Sequence, residues 1–232
     1  MKTASLSVLV VTIIGFSLNL FCAEDTQAVS RSVASIAFYD EQAQVFYDRV
    51  KAPSKNLASY YAKFLPLLSP GSRILDLGCG IGRDSQYFES LGHCVTAIDG
   101  SKEMVRFANA ILKVPARVML FSEVDFEGEF DAVWAAASLI HIPRDELGDI
   151  LDRVYRALKP GGIFFLNFKH GTGEYTDPVE KRTFYYMTRD PIQTYLTEGF
   201  DIIEIWTTED FSSCVAHSPD KMWLNILARK KE

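Results

Sequence analysis

Residues Ile74 to Asp84 read ILDLGCGIGRD, and the next apolar run, VTAID, ends on Asp99. Ile74, Leu75 and Leu77 make a short apolar run bounded by glycines, the pattern of a strand buried on both faces. Gly78, Gly80 and Gly82 then fall within five residues. Glycine at that density admits positive φ and lets the backbone approach a ligand with no Cβ in the way. Arg83 to Gly92 follows as a helix, with Tyr87, Phe88 and Leu91 at spacings of three and four and Gly92 as the stop. Strand, glycine turn and helix start together form a cradle whose free N–H groups favour an anionic group. Asp99 comes 19 residues after Gly80, where the second strand of such a unit presents an acid to a ribose diol.

The dinucleotide fingerprint is G-x-G-x-x-G, whose third glycine gives close helix–strand packing. Arg83 stands at that place here, and the glycines run G-x-G-x-G after Asp76. D-x-G-x-G-x-G resembles the first motif of class I S-adenosylmethionine (SAM)-dependent methyltransferases. Two later segments resemble the same family: FDAVWA (Phe130 to Ala135) its fourth strand, and LKPGGIFFLNF (Leu158 to Phe168) its turn into the fifth. Tyr39-Asp40 with Ala43 and Phe46 resembles the opening helix of small bacterial members, and Trp206, Thr208, Asp210 and Trp223-Leu224-Asn225 resemble their closing strands. The resemblance spans roughly Ile36 to Lys230 and implies the reaction better than the acceptor.

A chain of 232 residues accommodates one α/β domain, and 48% apolar with 23% charged residues is a globular composition. The net charge of −6 argues against gripping a long phosphate backbone, although Lys181, Arg182, Arg189 and the tail Arg229-Lys230-Lys231 leave room for a local basic patch. No Asn-Pro-Pro-Tyr-like stretch follows the fourth strand, where Ala135-Ala136-Ala137-Ser138 stands instead, and this also weakens a nucleic-acid base reading. Thr3 to Ala23 carries no charge after Lys2, and Glu24 and Asp25 follow. That pattern fits a secretory signal or a membrane anchor over residues 1–28, with the domain over 29–232; a mis-assigned start or a buried helix are the alternatives. Export conflicts with a cytoplasmic SAM-using enzyme. Cys79, Cys94 and Cys214 show no disulfide or zinc spacing and read as reduced thiols.

Helices are expected at 36–50, 56–68, 83–91, 101–112, 144–158 and 189–198, and strands at 73–77, 94–98, 117–121, 130–135, 162–168, 201–207 and 223–229. The alternation predicts an α/β, Rossmann-like fold: a seven-stranded, mostly parallel sheet with helices on both faces and a C-terminal antiparallel hairpin. Ligands then bind beyond the carboxyl ends of the strands.

The resemblance implies SAM as cofactor and no metal. Asp99, followed by Gly100, is expected to hold the ribose hydroxyls, and Asp76, Gly78, Cys79, Gly80 and Gly82 to surround the methionine moiety and ribose. Glu123 is the candidate for the adenine amino group, with Asp125 as its competitor. Leu139-Ile140-His141 falls beside the donor. His141 is a candidate base, its ordinary pKa of about 6.5 being suitable, or a histidine that packs or orients the loop, which is the favoured reading, and Tyr39 is a candidate facing the sulfonium. Phe46 is expected to cover the donor or pack, Lys169 and His170 to contact substrate or, by preference, to lie in a solvated loop, and Trp206, Trp223 and Asn225 to line the acceptor side or, by preference, to pack the hairpin. The acceptor is a small molecule or a side chain, and the chain a monomer or weak dimer. Two other readings stay open: an exported binding protein without catalysis, and a nicotinamide-dependent reductase.

Overall fold

The computed structural model describes residues 35–51, 55–209 and 221–232. Residues 35–41 form a first helix, α1, which a break at Gln42 separates from α2 (Ala43–Val50). Helix α3 (Lys55–Phe64) precedes the sheet. The main succession is β1 (Arg73–Leu77), α4 (Arg83–Ser90), β2 (Cys94–Asp99), α5 (Lys102–Ala108), β3 (Arg117–Val118), β4 (Phe130–Ala135), α6 (Arg144–Ala157) and β5 (Leu158–Lys169). A small hairpin, β6 (Glu174–Thr176) and β7 (Thr183–Tyr185), then α7 (Arg189–Leu196), β8 (Phe200–Glu209) and β9 (Met222–Lys230) complete the chain.

Seven strands form one sheet in the order β3-β2-β1-β4-β5-β9-β8. The first five pair in parallel, while β9 is antiparallel to both β5 and β8. The order reverses between β1 and β4, so both strands end beside the same crevice. The two faces alternate along each strand with period two. Leu75, Leu77, Val133, Phe164 and Leu166 pack with α6 and α7 on one side. Ile74, Ala132, Trp134, Ile163 and Phe165 pack with α3 and α4 on the other.

On that second face Trp134 stacks on Phe165, with ring centroids 4.2 Å apart and planes at 18°, inside a ring of Phe64, Phe88 and Tyr61. Trp134 is fully buried, and its indole N–H donates to Asp84 Oδ2 at 2.8 Å. Burying such a side chain contributes about 1.5–3 kcal/mol. The same hydrogen bond ties the middle of β4 to the first turn of α4.

Several boundaries differ from the expected ones. Pro66 ends α3, and Leu65–Leu67 is a 3-10 turn. The third strand is only two residues long, because Phe121–Glu123 turns as a 3-10 segment. The Pro-Gly-Gly turn lies inside β5: Phe130 pairs with Leu158 and Ala132 with Ile163, so Lys159 to Gly162 bulge out of the ladder. Helix α5 ends at Ala108, short of residue 112. The β6–β7 hairpin was not expected, its strands being too short to show a period. Lys169 is not in a solvated loop but is fully buried at the end of β5, with Nζ 4.4 Å from the Trp223 ring centroid. The signal or anchor assigned to residues 1–28 lies outside the described residues, as do Cys214 and Asp210. No helix among the described residues is long and apolar enough to cross a membrane.

Trp134→Phe is expected to keep the stack and lose the donor to Asp84. Leaving that buried carboxylate oxygen short of a partner costs about 1–3 kcal/mol, to be measured as a lower urea midpoint at unchanged slope.

Candidate functional site

A cavity of about 300 Å³ opens at the carboxyl ends of β1, β2 and β4. One half is made by the two turns that follow β1 and β2. Gly78 and Cys79 both donate their N–H groups to Ile98 O at 2.9 Å, which curls the chain back over the end of β2. Gly78 has φ of 85°, and a Cβ there would lie 2.4 Å from Ser138 Cβ. Gly80 has φ of 53° and nothing within 4 Å of an added Cβ; its open side is the cavity. Gly82 serves packing: it is the N-cap of α4, and a Cβ would press on Ala108 of α5 at 3.0 Å. It does not line the cavity, contrary to expectation.

Asp99 joins the two turns. Its Oδ2 accepts from Gly80 N and its Oδ1 from Ser101 N, each at 2.8 Å. Burial raises its pKa to about 6, against the pull of those two N–H groups. Ser101 caps α5 by accepting from Met104 N at 3.1 Å, and its hydroxyl donates to Asp40 Oδ1 at 2.6 Å. Asp40 thereby fastens α1 onto the start of α5, a role the Tyr39-Asp40 pair did not reveal in sequence. Asp76 is buried and accepts from Ser85 Oγ at 2.6 Å; burial and the neighbouring Asp84 charge push its pKa up. Asp84 is held by the hydroxyl of Tyr61 at 2.9 Å and by Arg83 Nε at 2.7 Å, besides Trp134.

Cys79 and Gly100 also line this half. Glu123 does not. It is exposed, and its Oε2 accepts from Leu120 N at 2.7 Å, closing its own 3-10 turn; Leu120, Phe121 and Ser122 line the cavity instead. Leu139 is also turned away, fully buried in the core against α6, while its neighbours Ser138, Ile140 and His141 face the cavity.

Beyond β4 the backbone is strained. Ala137 has φ of 55°, a left-handed conformation costing a residue with a Cβ about 1–2 kcal/mol. Asn167 of β5 holds it by accepting from Ala137 N at 2.6 Å, and Asn167 in turn donates to Asn225 Oδ1 of β9 at 3.3 Å. Asn225 therefore links strands by side-chain hydrogen bonding rather than by packing. The next residue, Ser138, has a buried hydroxyl with no hydrogen-bond partner among the described residues, and it lines the cavity.

The other half joins α1, α2, β7, β9 and the loop after β4. His141 Nδ1 lies 2.7 Å from Thr183 O, a carbonyl that only accepts, so Nδ1 carries the proton. Burial, and secondly the Arg182 charge, lower the ring's pKa to about 4 and keep it neutral. Nε2 is therefore the bare nitrogen, and Tyr39 donates its hydroxyl to it at 2.9 Å. Both ring nitrogens are engaged, so His141 orients Tyr39, as the orienting alternative had it, and is poorly suited to act as a base. Arg182, expected as a surface cation, is 1% exposed; it donates to Tyr39 Oη at 3.0 Å and pairs with Glu180. Phe46, Phe184 and Trp223 are among the walls.

The residues present fit SAM. Acids on the β1 and β2 side match an ammonium and a ribose diol, Gly80 leaves the space a side chain would fill, and the Ser138 hydroxyl awaits a partner. Residues 74–162 match the model of the methyltransferase domain. The ubiquinone biosynthesis O-methyltransferase of Xanthomonas campestris is 40% identical over 105 residues, 42% of this chain and 43% of that protein. The chain thus spans under half the length of that relative. The cypemycin N-terminal methyltransferase of Streptomyces is 27% identical over 208 residues, 81% of each chain. Among solved structures, Burkholderia thailandensis 1,6-didemethyltoxoflavin-N1-methyltransferase, with bound 1,6-didemethyltoxoflavin and S-adenosylhomocysteine, shares the fold with a TM-score of 0.69 at 23% identity, covering 100% of this chain and 94% of that one. Residues 74–162 thus match a methyltransferase domain, and the sheet built on them shares its fold with a solved methyltransferase.

Proposed function

We propose that the protein binds SAM across the glycine turn and transfers its methyl group to a small-molecule acceptor held by α1, β7 and β9. The observation that carries this reading is the Asp99 carboxylate, fixed by two backbone N–H groups beside the open face of Gly80. SAM supplies an electrophilic methyl on a leaving group that departs neutral. The chain's own work is then chiefly positioning donor against acceptor and excluding water. Asp99 is the residue for the ribose hydroxyls, Asp76 the acid nearest the methionine end, and Gly78 to Gly80 the floor. The relatives are named as a ubiquinone biosynthesis O-methyltransferase and a cypemycin N-terminal methyltransferase, and the Burkholderia structure holds 1,6-didemethyltoxoflavin. Those names support a small or peptide acceptor; neither a reductase nor a binding-protein reading finds support among them. Calorimetric titration with SAM, followed by a methyl-release assay, tests the proposal, and absence of SAM binding by folded protein overturns it.

Asp99→Ala removes two charge-assisted hydrogen bonds worth about 1.5–3 kcal/mol each. SAM affinity is expected to fall about tenfold or more, measured by calorimetry on protein whose folding is verified by circular dichroism. Asp99→Asn, which keeps an acceptor without the charge, should fall in between.

Gly80→Val places a branched side chain in the cavity at a positive φ. It is expected to abolish SAM binding while the domain still folds, since no protein atom stands where the Cβ goes. Normal affinity in this variant would make the turn purely structural.

Asp99 titrates at about 6 when folded and near 3.8 as an unperturbed acid. Its folded value is raised, so its contribution to stability is complete below about pH 4 and is lost as pH rises through about 6. Without SAM, Tm should therefore drift down across this window. SAM affinity should rise over the same window as the carboxylate ionises. Asp99→Asn should flatten both trends, which a thermal-shift series with and without SAM reads directly.

A further inference from the structure

Ser138 is buried, and its hydroxyl has no hydrogen-bond partner among the described residues. A buried hydroxyl in that state destabilises the fold unless a ligand supplies the partner. A serine at this place has an ordinary use, which it does not take: it is the N-cap of the 3-10 turn Leu139–His141, yet it makes no side-chain cap hydrogen bond. The backbone is also strained to bring it here. Ala137, the residue before it, is held in a left-handed conformation by Asn167, which Asn225 supports. An unsatisfied polar group on a braced, strained turn beside a cavity points to a contact that a ligand completes. Ser138 stands against the first glycine of the turn after β1: a Cβ at Gly78 would lie 2.4 Å from Ser138 Cβ and 3.3 Å from its Oγ. Asp99, at the end of β2, marks the place for the ribose. From there the cavity runs two ways. Towards β3 stand Leu120 and Phe121, whose apolar side chains suit a base. Towards β1 and β4 stand Asp76, Arg83 and Asp84, charges of both signs that suit a zwitterion. Ser138 follows β4 and lies on that second side.

We infer that the Ser138 hydroxyl hydrogen-bonds the amino-acid head group of SAM and so fixes the sulfonium end of the methyl donor against the loop that carries His141. This rests on the methyltransferase reading and adds to it a binding residue that lies outside the glycine turn and the two strand-end acids. A hydroxyl suits either pole of the head group, donating to its carboxylate or accepting from its ammonium. Its χ1 has three staggered wells, and a bound methyl donor selects the one that meets it. The rival partner is the methyl acceptor, because Ile140 and His141 of the same loop also face the cavity. The position of Ser138 against Gly78, on the side of Asp76 and Arg83, favours the head group.

The test compares wild type with Ser138→Ala by calorimetric titration with three ligands: SAM, S-adenosylhomocysteine, and 5'-methylthioadenosine, which keeps the nucleoside and the sulfur but lacks the head group. SAM and S-adenosylhomocysteine are expected to bind the variant about tenfold more weakly, the loss of one hydrogen bond to a charged group. Affinity for 5'-methylthioadenosine should stay within about twofold of wild type. Without ligand the variant should be as stable as wild type or more so, read from the urea midpoint, because it sheds a hydroxyl that had no partner. Ser138→Cys, close in volume and only a weak donor, should fall in between for SAM, and it decides the matter if the alanine variant does not fold. Equal losses for all three ligands, together with a lower urea midpoint, would make the hydroxyl structural. Unchanged affinity for SAM and S-adenosylhomocysteine would assign it to the acceptor. Either result overturns the inference. The two claims separate on the wild type: SAM bound there but indifferent to Ser138 sinks only this assignment, and no SAM bound by folded wild type sinks the methyltransferase reading.

Discussion

The carboxylate of Asp99 is the point on which the rest of the site depends. It sits at the end of β2 and accepts from one N–H in each of two turns, that of Gly80 after β1 and that of Ser101 before α5. Gly78 and Cys79 already tie the first turn to the end of β2 through Ile98 O, and Asp99 adds the link to the turn before α5. One buried acid makes them a single rigid edge, and burial holds its proton affinity above that of a solvated carboxylate. The Asp40 carboxylate extends the edge by accepting from Ser101 Oγ and Glu103 N at 2.6 and 3.2 Å. The helix that bears Tyr39 is thereby hung on the same frame.

The two halves of the cavity have different origins in the chain. The half with Asp76, Gly80 and Asp99 comes from residues 74–162, the segment that matches the methyltransferase domain. The half with Tyr39, Phe46, Arg182, Phe184 and Trp223 comes from the segments on either side. That division suits a fold in which one donor serves many acceptors, because the sheet and its glycine turn are kept while the covering elements change.

Strain and compensation meet where the halves join. Ala137 adopts a left-handed conformation just past β4, and it is held there by Asn167, which Asn225 supports from the neighbouring strand. The chain of side chains continues to Thr208 and Tyr60, at 3.1 and 2.8 Å, so a backbone kink beside the cavity is braced across three strands. Such bracing turns the loop after β4, with the Ser138 hydroxyl and His141, into a fixed wall.

Local backbone requirements were legible in the residues. Glycines at 78, 80 and 82 declared a turn with positive φ, the apolar runs declared buried strands, and Ser101 declared a helix start. Each depends on a residue and its nearest neighbours, and each stands in the structure as read. Side-chain destination was not legible. Glu123 and Leu139 fell at the right strand ends but turned to a 3-10 cap and to the core. Gly82 proved to be a packing contact with Ala108. Arg182 looked like a surface cation until a short hairpin carried it under α1, against Tyr39 from 143 positions away. The sequence by itself determined most of the main strands and helices, the glycine turn and which end of the sheet bears the acids, because those follow from φ/ψ preference and periodicity. Only the tertiary structure decided which acid faces the cavity, which proton His141 carries and where a buried charge sits, because these depend on contacts between residues distant in sequence and on loss of water around them.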